Sequence, residues 1–289
     1  MIDLSERHRG MAFALLTACG LGAITTQAKL FYADGGNALT LMLARFIASV
    51  VVFGLLLAVG RRGFGIEPRL RLPLLALGLV WPGATICYLL AVETISVSLA
   101  VLIFYFYPLL VLVYALLRRQ LAASPALLGL FLGAFLGLYL ALAGGAITFN
   151  TIGGGFAVLA SVGAAFTFVC GARVAPAMSP LLMTFWINAA GLLLILPLMP
   201  GSFSLPAAGG WLAAGLATLL YLVAILSQFQ ALARLPAARA AFLLNLEPVV
   251  SILLAGIVLG EVLTPTQWIG VVLVVSMIVL SLRFRPADA

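Results

Sequence analysis

The sequence predicts an all-helical integral membrane fold: ten transmembrane helices arranged as two inverted five-helix repeats around a central cavity. Three observations predict it. Of 289 residues, 65% are hydrophobic and only 8% are charged. Soluble domains hold roughly 45–50% apolar and about 25% charged residues, so this chain cannot cover a water-facing surface. Basic residues interrupt the apolar runs on alternate loops, and the second half of the chain repeats positions of the first. A net charge of +7 would point to nucleic acid in a soluble protein. Here it marks loops, and no nucleic-acid partner is expected.

Apolar stretches bounded by Gly, Pro, Arg or Asp place five spans at 10–29, 37–59, 72–92, 97–117 and 126–146. Five more lie at 153–172, 180–199, 209–231, 238–259 and 266–283. Each is near the roughly 20 residues that a bilayer demands. The interruptions are strong breakers: Asp34-Gly35-Gly36, Arg61-Arg62-Gly63, Ser124-Pro125, Gly153-Gly154-Gly155, Pro200-Gly201 and Thr264-Pro265. Span 1 carries Leu16-Thr17-Ala18-Cys19, which looks like a lipoprotein cleavage box. The apolar run continues past Cys19, however, and Met1–Gly10 mixes acids with Arg7 and Arg9, so no cleavage is expected. Cys19, Cys87 and Cys170 lie singly in apolar segments without metal-ligand spacing and read as buried thiols.

Positive charge orients the stack. With the N-terminus inside, Arg7, Arg9, Arg61, Arg62, Arg69, Arg71, Arg118 and Arg119 face the cytoplasm. So do Arg173, Arg234, Arg239, Arg283 and Arg285, which makes 13 of the 15 basic residues. Only Lys29 falls outside, and Arg45 lies within a span. Both termini are therefore expected to be cytoplasmic. One lysine against fourteen arginines points to a GC-rich bacterial genome and hence to the inner membrane.

The repeat divides the chain into residues 1–147 and 148–289. At an offset of 140, Ala91, Ala100, Pro108, Ala115 and Pro125 meet Ala231, Ala240, Pro248, Ala255 and Pro265. At an offset of 143, Phe13-Ala14, Leu16 and Gly20 meet Phe156-Ala157, Leu159 and Gly163. Five spans per half is odd, so the second copy enters from the opposite face. Inverted repeats of this kind build secondary transporters with a site near the midplane.

An ionisable group inside the membrane needs a reason to be there. Glu247 lies eight residues into span 9, about 12 Å along the helix, and immediately precedes Pro248. That proline frees the carbonyl of Leu244 and bends the helix at mid-depth. Two readings stand: a substrate or proton site, or a carboxyl that hydrogen-bonds the carbonyls exposed at the kink. Arg45 could bind a carboxylate, but snorkelling or pairing with Glu93 is the plainer reading. Lys29 could meet an anionic group at the exit, with simple solvation the plainer reading. The aromatics Phe104-Tyr105-Phe106-Tyr107 before Pro108 lie too deep for an interfacial belt. Four consecutive aromatics cover every face of a helix, so some face lipid or neighbouring helices. Tyr105 and Tyr107, with Tyr88, Phe166, Tyr221 and Asn245, are expected to line the cavity, whose hydroxyls suit a ligand partly apolar and partly polar. Pro108 and Pro248 are the expected hinges. The stripe Gly129, Gly133, Gly137, Ala141 and Gly145 reads as packing of span 5 on span 10. His8 is the single histidine and lies in the tail. No Gly-x-Ser-x-Gly elbow, His-Glu-x-x-His helix or P-loop occurs, so an enzyme and an ATP-driven pump are both disfavoured.

Ala44-Arg45-Phe46, Leu246-Glu247-Pro248-Val249 and the run from Gly260 through Thr264-Pro265 and Trp268 to Gly270 resemble the drug/metabolite transporter superfamily, in its ten-helix exporter branch. The resemblance implies a basket of helices around a cavity lined mainly by spans 1, 3, 4, 6, 8 and 9, with spans 5 and 10 outside it. Leu21-Gly22-Ala23 departs from the aromatic often seen in span 1. The aromatic group before Pro108 resembles exporters of aromatic and other hydrophobic amino acids; the alternative is an exporter of lipophilic drugs or other small metabolites. The expected partners are a small-molecule substrate and the lipid bilayer, with the chain acting as a monomer and needing no cofactor or metal.

Overall fold

A computed structural model describes residues 4–143 and 150–283. Asp3, Gly145, Arg285, Asp288 and the division at 147/148 lie outside these residues. The first half holds α1 (Leu4–Ala33), α2 (Ala38–Val59), α3 (Pro68–Thr94), α4 (Val97–Phe104), α5 (Tyr107–Leu117) and α6 (Pro125–Ala141). The second holds α7 (Thr151–Val174), α8 (Pro180–Ile195), α9 (Gly210–Leu232), α10 (Ala237–Leu243), α11 (Leu246–Leu259) and α12 (Pro265–Arg283). Among the described residues there is no strand. With α4–α5 and α10–α11 each taken as one crossing, nine crossings among the described residues are long and apolar enough to span a bilayer; the tenth, α6, has 17 residues. Span 5 was expected to run to residue 146, but its helix stops at Ala141.

The helices begin and break where side-chain chemistry requires. Asn37 accepts from the Thr40 amide at 2.8 Å and Ser124 from the Leu127 amide at 3.1 Å, while Asn150 accepts from the Ile152 amide at 2.8 Å. These caps satisfy amide groups that a helix start leaves orphaned. Pro108 cannot bond the carbonyl four residues earlier, and α4 ends there, at Phe104. Tyr105 and Phe106 form a turn, and α5 resumes at Tyr107. Pro248 does the same in the second half: α10 ends at Leu243, Leu244 and Asn245 turn, and α11 resumes at Leu246.

Packing obeys the internal repeat. The most extensive interfaces are α1 on α9 and α3 on α7, a pair that the repeat exchanges. Gly20 of α1 abuts Ala224 of α9, and Gly163 of α7 abuts Ala84 of α3. A Cβ on either glycine would lie 3.0 or 2.7 Å from the alanine methyl. Offsets of 143 and 140 convert one contact into the other, so the repeat extends to this helix contact. The α6–α12 interface closes on itself. A Cβ on Gly133 would meet the Met277 sulfur at 2.8 Å, one on Gly137 the Val274 amide at 2.9 Å, and one on Gly270 the Ala141 amide at 2.2 Å. The small-residue stripe thus packs as expected, except that Gly129 touches nothing across the interface. Cys19 is exposed on the outside of the bundle, against the expectation of a buried thiol; Cys87 and Cys170 are half-buried.

Among the described residues, arginines other than Arg45 gather at one end. Arg234 Nε donates to Glu6 at 2.9 Å and its guanidinium lies 5.3 Å from the Phe13 ring; Arg9 joins the same carboxylate at 2.6 Å. Arg173 bonds the Tyr114 hydroxyl and covers its ring. At the other end the α1–α2 turn is tied to the segment before α9, with Asn37 donating to the Ser202 carbonyl at 2.6 Å.

Candidate substrate cavity

A cavity of about 610 Å³ lies between the halves. Its walls come from α1 (Leu21, Thr25, Lys29, Tyr32), α2 (Met42, Arg45, Phe46), α3 (Trp81, Thr85, Tyr88) and α4 (Ser98, Val101, Phe104). Tyr107, Phe168, Tyr221, Glu247 and Ser251 add α5, α7, α9 and α11. The helices expected from the resemblance are all present, and α2 contributes a further wall. The ends of α6 and α12 reach the rim through Ala141 and Gln267.

Two breaks build the floor. The turn at Tyr105–Phe106 bunches the rings that a straight helix would spread around its axis. Tyr105 and Tyr107 stand 5.8 Å apart, Phe104 lies 5.3 Å from Tyr88 and 5.5 Å from Tyr107, and Phe168 stacks on Tyr107 at 5.2 Å. Phe106 points out of the bundle, 44% exposed. Tyr105 and Glu247, one from each break, both line this floor. Tyr107 and Glu247 are repeat counterparts at an offset of 140, so a phenol in one half occupies the place of an acid in the other.

Opposite stands a second polar group. The Arg45 guanidinium lies 5.7 Å from the centre of the Tyr221 ring, and its buried Nε finds no hydrogen-bond partner among the described residues. Tyr221 is fixed by donating to Asn188 Oδ1 at 2.9 Å, while Asn188 in turn donates to the Thr184 carbonyl at 2.8 Å. Arg45 therefore lines the cavity; it neither snorkels nor pairs with Glu93, which is exposed. Lys29 is not simply solvated either. It pairs with Glu261 at 2.8 Å at the rim, and both side chains are more than half exposed.

Five of the seven expected lining residues, Tyr88, Tyr105, Tyr107, Tyr221 and Glu247, meet in this cavity. Two do not. Phe166 is 39% exposed on the outer face of α7; Phe168, two residues on, faces in. Asn245 is buried behind the break, where its amide donates to the Phe242 carbonyl at 2.8 Å, a cap for the end of α10. Sequence reasoning missed Trp81, Tyr32 and Phe46. Trp81 had a signal, since it lies seven residues before Tyr88 and so shares its helix face.

One family model matches residues 8–143 and again residues 151–283, described as the EamA-like transporter family. The chain belongs to that family. It is a multi-pass membrane protein of the drug/metabolite transporter superfamily, and the family carries small solutes. The two matched segments fall on α1–α6 and α7–α12. A protein of known crystal structure superposes on 96% of this chain and 98% of its own, with a TM-score of 0.79 and 19% identity. At that identity it shares the fold. No curated protein matches the sequence.

Proposed function

We propose that the protein is a secondary exporter of aromatic and other hydrophobic amino acids, working by alternating access. The observation that carries this reading is separation of charge. Arg45 and Glu247 line one cavity, and no ion pair joins them. Aromatic rings occupy the space around both. A zwitterion satisfies both groups at once: its carboxylate takes charge-assisted hydrogen bonds from Arg45, and its ammonium faces Glu247 and the phenol rings. Its side chain then lies against Phe104, Tyr88 and Phe168. A phosphorylated solute would want several cations, and the two in this cavity are Arg45 and the already paired Lys29. The volume falls within the roughly 300–1,000 Å³ of small-ligand sites.

The charge distribution supports a bacterial inner membrane with both termini cytoplasmic. On that orientation the cavity opens outward, since Lys29, Glu261 and Gln267 rim it while Arg234 and Arg239 lie beyond its floor.

The test is flux of labelled phenylalanine in proteoliposomes, against unlabelled competitors. Tyrosine, tryptophan, methionine and leucine should compete. Phenethylamine, which lacks the carboxylate, should compete at least tenfold more weakly. Flux of labelled phenethylamine or of a lipophilic cation, with phenylalanine inert, would make the protein an exporter of drugs or other metabolites. A chemically altered solute would mark an enzyme.

A further inference from the structure

Gln228 of α9 is 1% exposed, and neither its amide nitrogen nor its carbonyl oxygen finds a hydrogen-bond partner among the described residues. Such a group is costly and rare in a folded interior, so it needs an explanation. Its place in the helix supplies one. Gln228 lies seven residues after Tyr221, which puts both on one helix face about 10 Å apart along the axis. Tyr221 lines the cavity, so Gln228 lies directly beneath it, toward the end closed by Arg234 and Glu6. The repeat points to the same place. At the offset of 140, Tyr221 and Gln228 are the counterparts of Trp81 and Tyr88, both of which line the outward cavity from α3.

We propose that Gln228 is a substrate-binding group of the inward-facing state, taking the place that Tyr88 holds in the outward-facing one. When the pathway opens toward the arginine-rich end, α9 presents Gln228 to the cavity as α3 presents Tyr88 here. The amide then finds its missing partners in the carboxylate or ammonium of the solute, or in water. Closing the inner end strips them away and leaves the orphan seen in this structure. A buried polar group that is satisfied only in the other conformation also keeps the closed inner end from becoming too stable to reopen. The inference rests on alternating access but not on which solute is carried.

Two measurements test it. In a background with Cys19, Cys87 and Cys170 replaced by serine, Gln228→Cys should react with an impermeant thiol reagent added from the arginine-rich face only. Tyr88→Cys should react from the opposite face. Failure of Gln228→Cys to react from the arginine-rich face, in a protein whose Tyr88→Cys is labelled, would overturn the proposal. In flux assays with labelled phenylalanine, Gln228→Leu should raise the half-saturating concentration about tenfold for solute presented from the arginine-rich face. From the other face it should change less than twofold, and Gln228→Asn should restore part of the loss. An equal effect from both faces, or none from either, would also overturn it, because a merely structural orphan replaced by leucine has no side to prefer. If wild-type protein carries no phenylalanine, the amino-acid reading fails, and the labelling result alone decides the role of Gln228.

Discussion

The two ends of the pathway are built from the same parts in different states. At the arginine-rich end, the inner one on the proposed orientation, α10 packs on α5 and α7, and five of its seven residues, Ala238, Ala240, Ala241, Phe242 and Leu243, are buried. Phe242 meets Phe131 with ring centres 4.7 Å apart. The repeat counterpart of α10 is α4, at the outer end, where the buried residue is Ala100. Instead of sealing against α11, α4 leans on α3 and α7, while α11 leans on α1, and the cavity opens between these two groups. Repeat-related elements are thus packed at one end and parted at the other. Symmetry sets what each end can do, and the direction of opening breaks that symmetry.

Gly22→Ala should have the largest effect. A Cβ there would lie 2.5 Å from the Glu247 carbonyl oxygen and 2.8 Å from Val250, so α1 and α11 could no longer touch on the open side. The counterpart of Gly22 at an offset of 143 is Ala165, which already carries a methyl at the equivalent place on α7. We expect loss of about 1–3 kcal/mol of stability, read as a fall in folded yield and thermal midpoint. Gly155→Ala, which meets nothing within 4 Å, should be harmless.

Next is Arg45→Met, which keeps the stem and removes the charge. Affinity for a zwitterionic solute should fall ten- to hundredfold, the order expected for a lost charge-assisted hydrogen bond, while phenethylamine binding stays unchanged. Isothermal binding to detergent-solubilised protein checks this. Glu247→Gln should retain binding more nearly but flatten the pH profile of flux if that carboxyl exchanges a proton during the cycle. A wild type with a flat profile would make the protein a facilitator driven by the solute gradient.

Pro108→Ala and Pro248→Ala should each slow flux several-fold more than they weaken binding, because a continuous helix cannot pivot at the floor. Equal rates in mutants and wild type would reduce both prolines to fixed kinks. The smallest effect belongs to the ion pairs at the two ends. Glu6 and Arg234 are partly exposed, so Glu6→Gln should shift the balance toward the inward-open form by no more than about fivefold. Lys29→Met should shift it less, since both partners of that pair are over half exposed. Labelling of Gln228→Cys reads both changes.

The fold was legible because membrane constraints are strong. Helix length, breakers and arginine placement place every crossing, with the bounds off by up to six residues at the start of α1, and the offset of 140 aligns Pro108 with Pro248. Of the site, depth was legible and facing was not. Tyr105 and Tyr107 both reach the cavity because the break bunches their rings, a geometry that four consecutive aromatics do not encode. Phe166 and Phe168 lie two residues apart on α7, and nothing local says which of them faces inward. Asn245 misled through the repeat itself: its counterpart Tyr105 lines an open cavity, whereas Asn245 lies at the closed side of its own break. Arg45 was undervalued because an unpaired buried arginine is costly, and only the cavity beside it explains why it is there.

The central claim, that the two ends exchange states, is tested most directly by paired distances between spin labels. Val97 and Ile257 flank the outer end, and their counterparts Ala237 and Leu117 flank the inner one. Val97, Ile257 and Leu117 are exposed, so labels there should leave the packing intact. Pulsed electron spin resonance on the two doubly labelled proteins, in bilayers with and without saturating solute, gives both distance distributions. The account predicts reciprocal change: as the outer pair draws together the inner pair parts, and each distribution holds two populations in matching proportions. Distances that stay fixed, or that widen and narrow together at both ends, would contradict it.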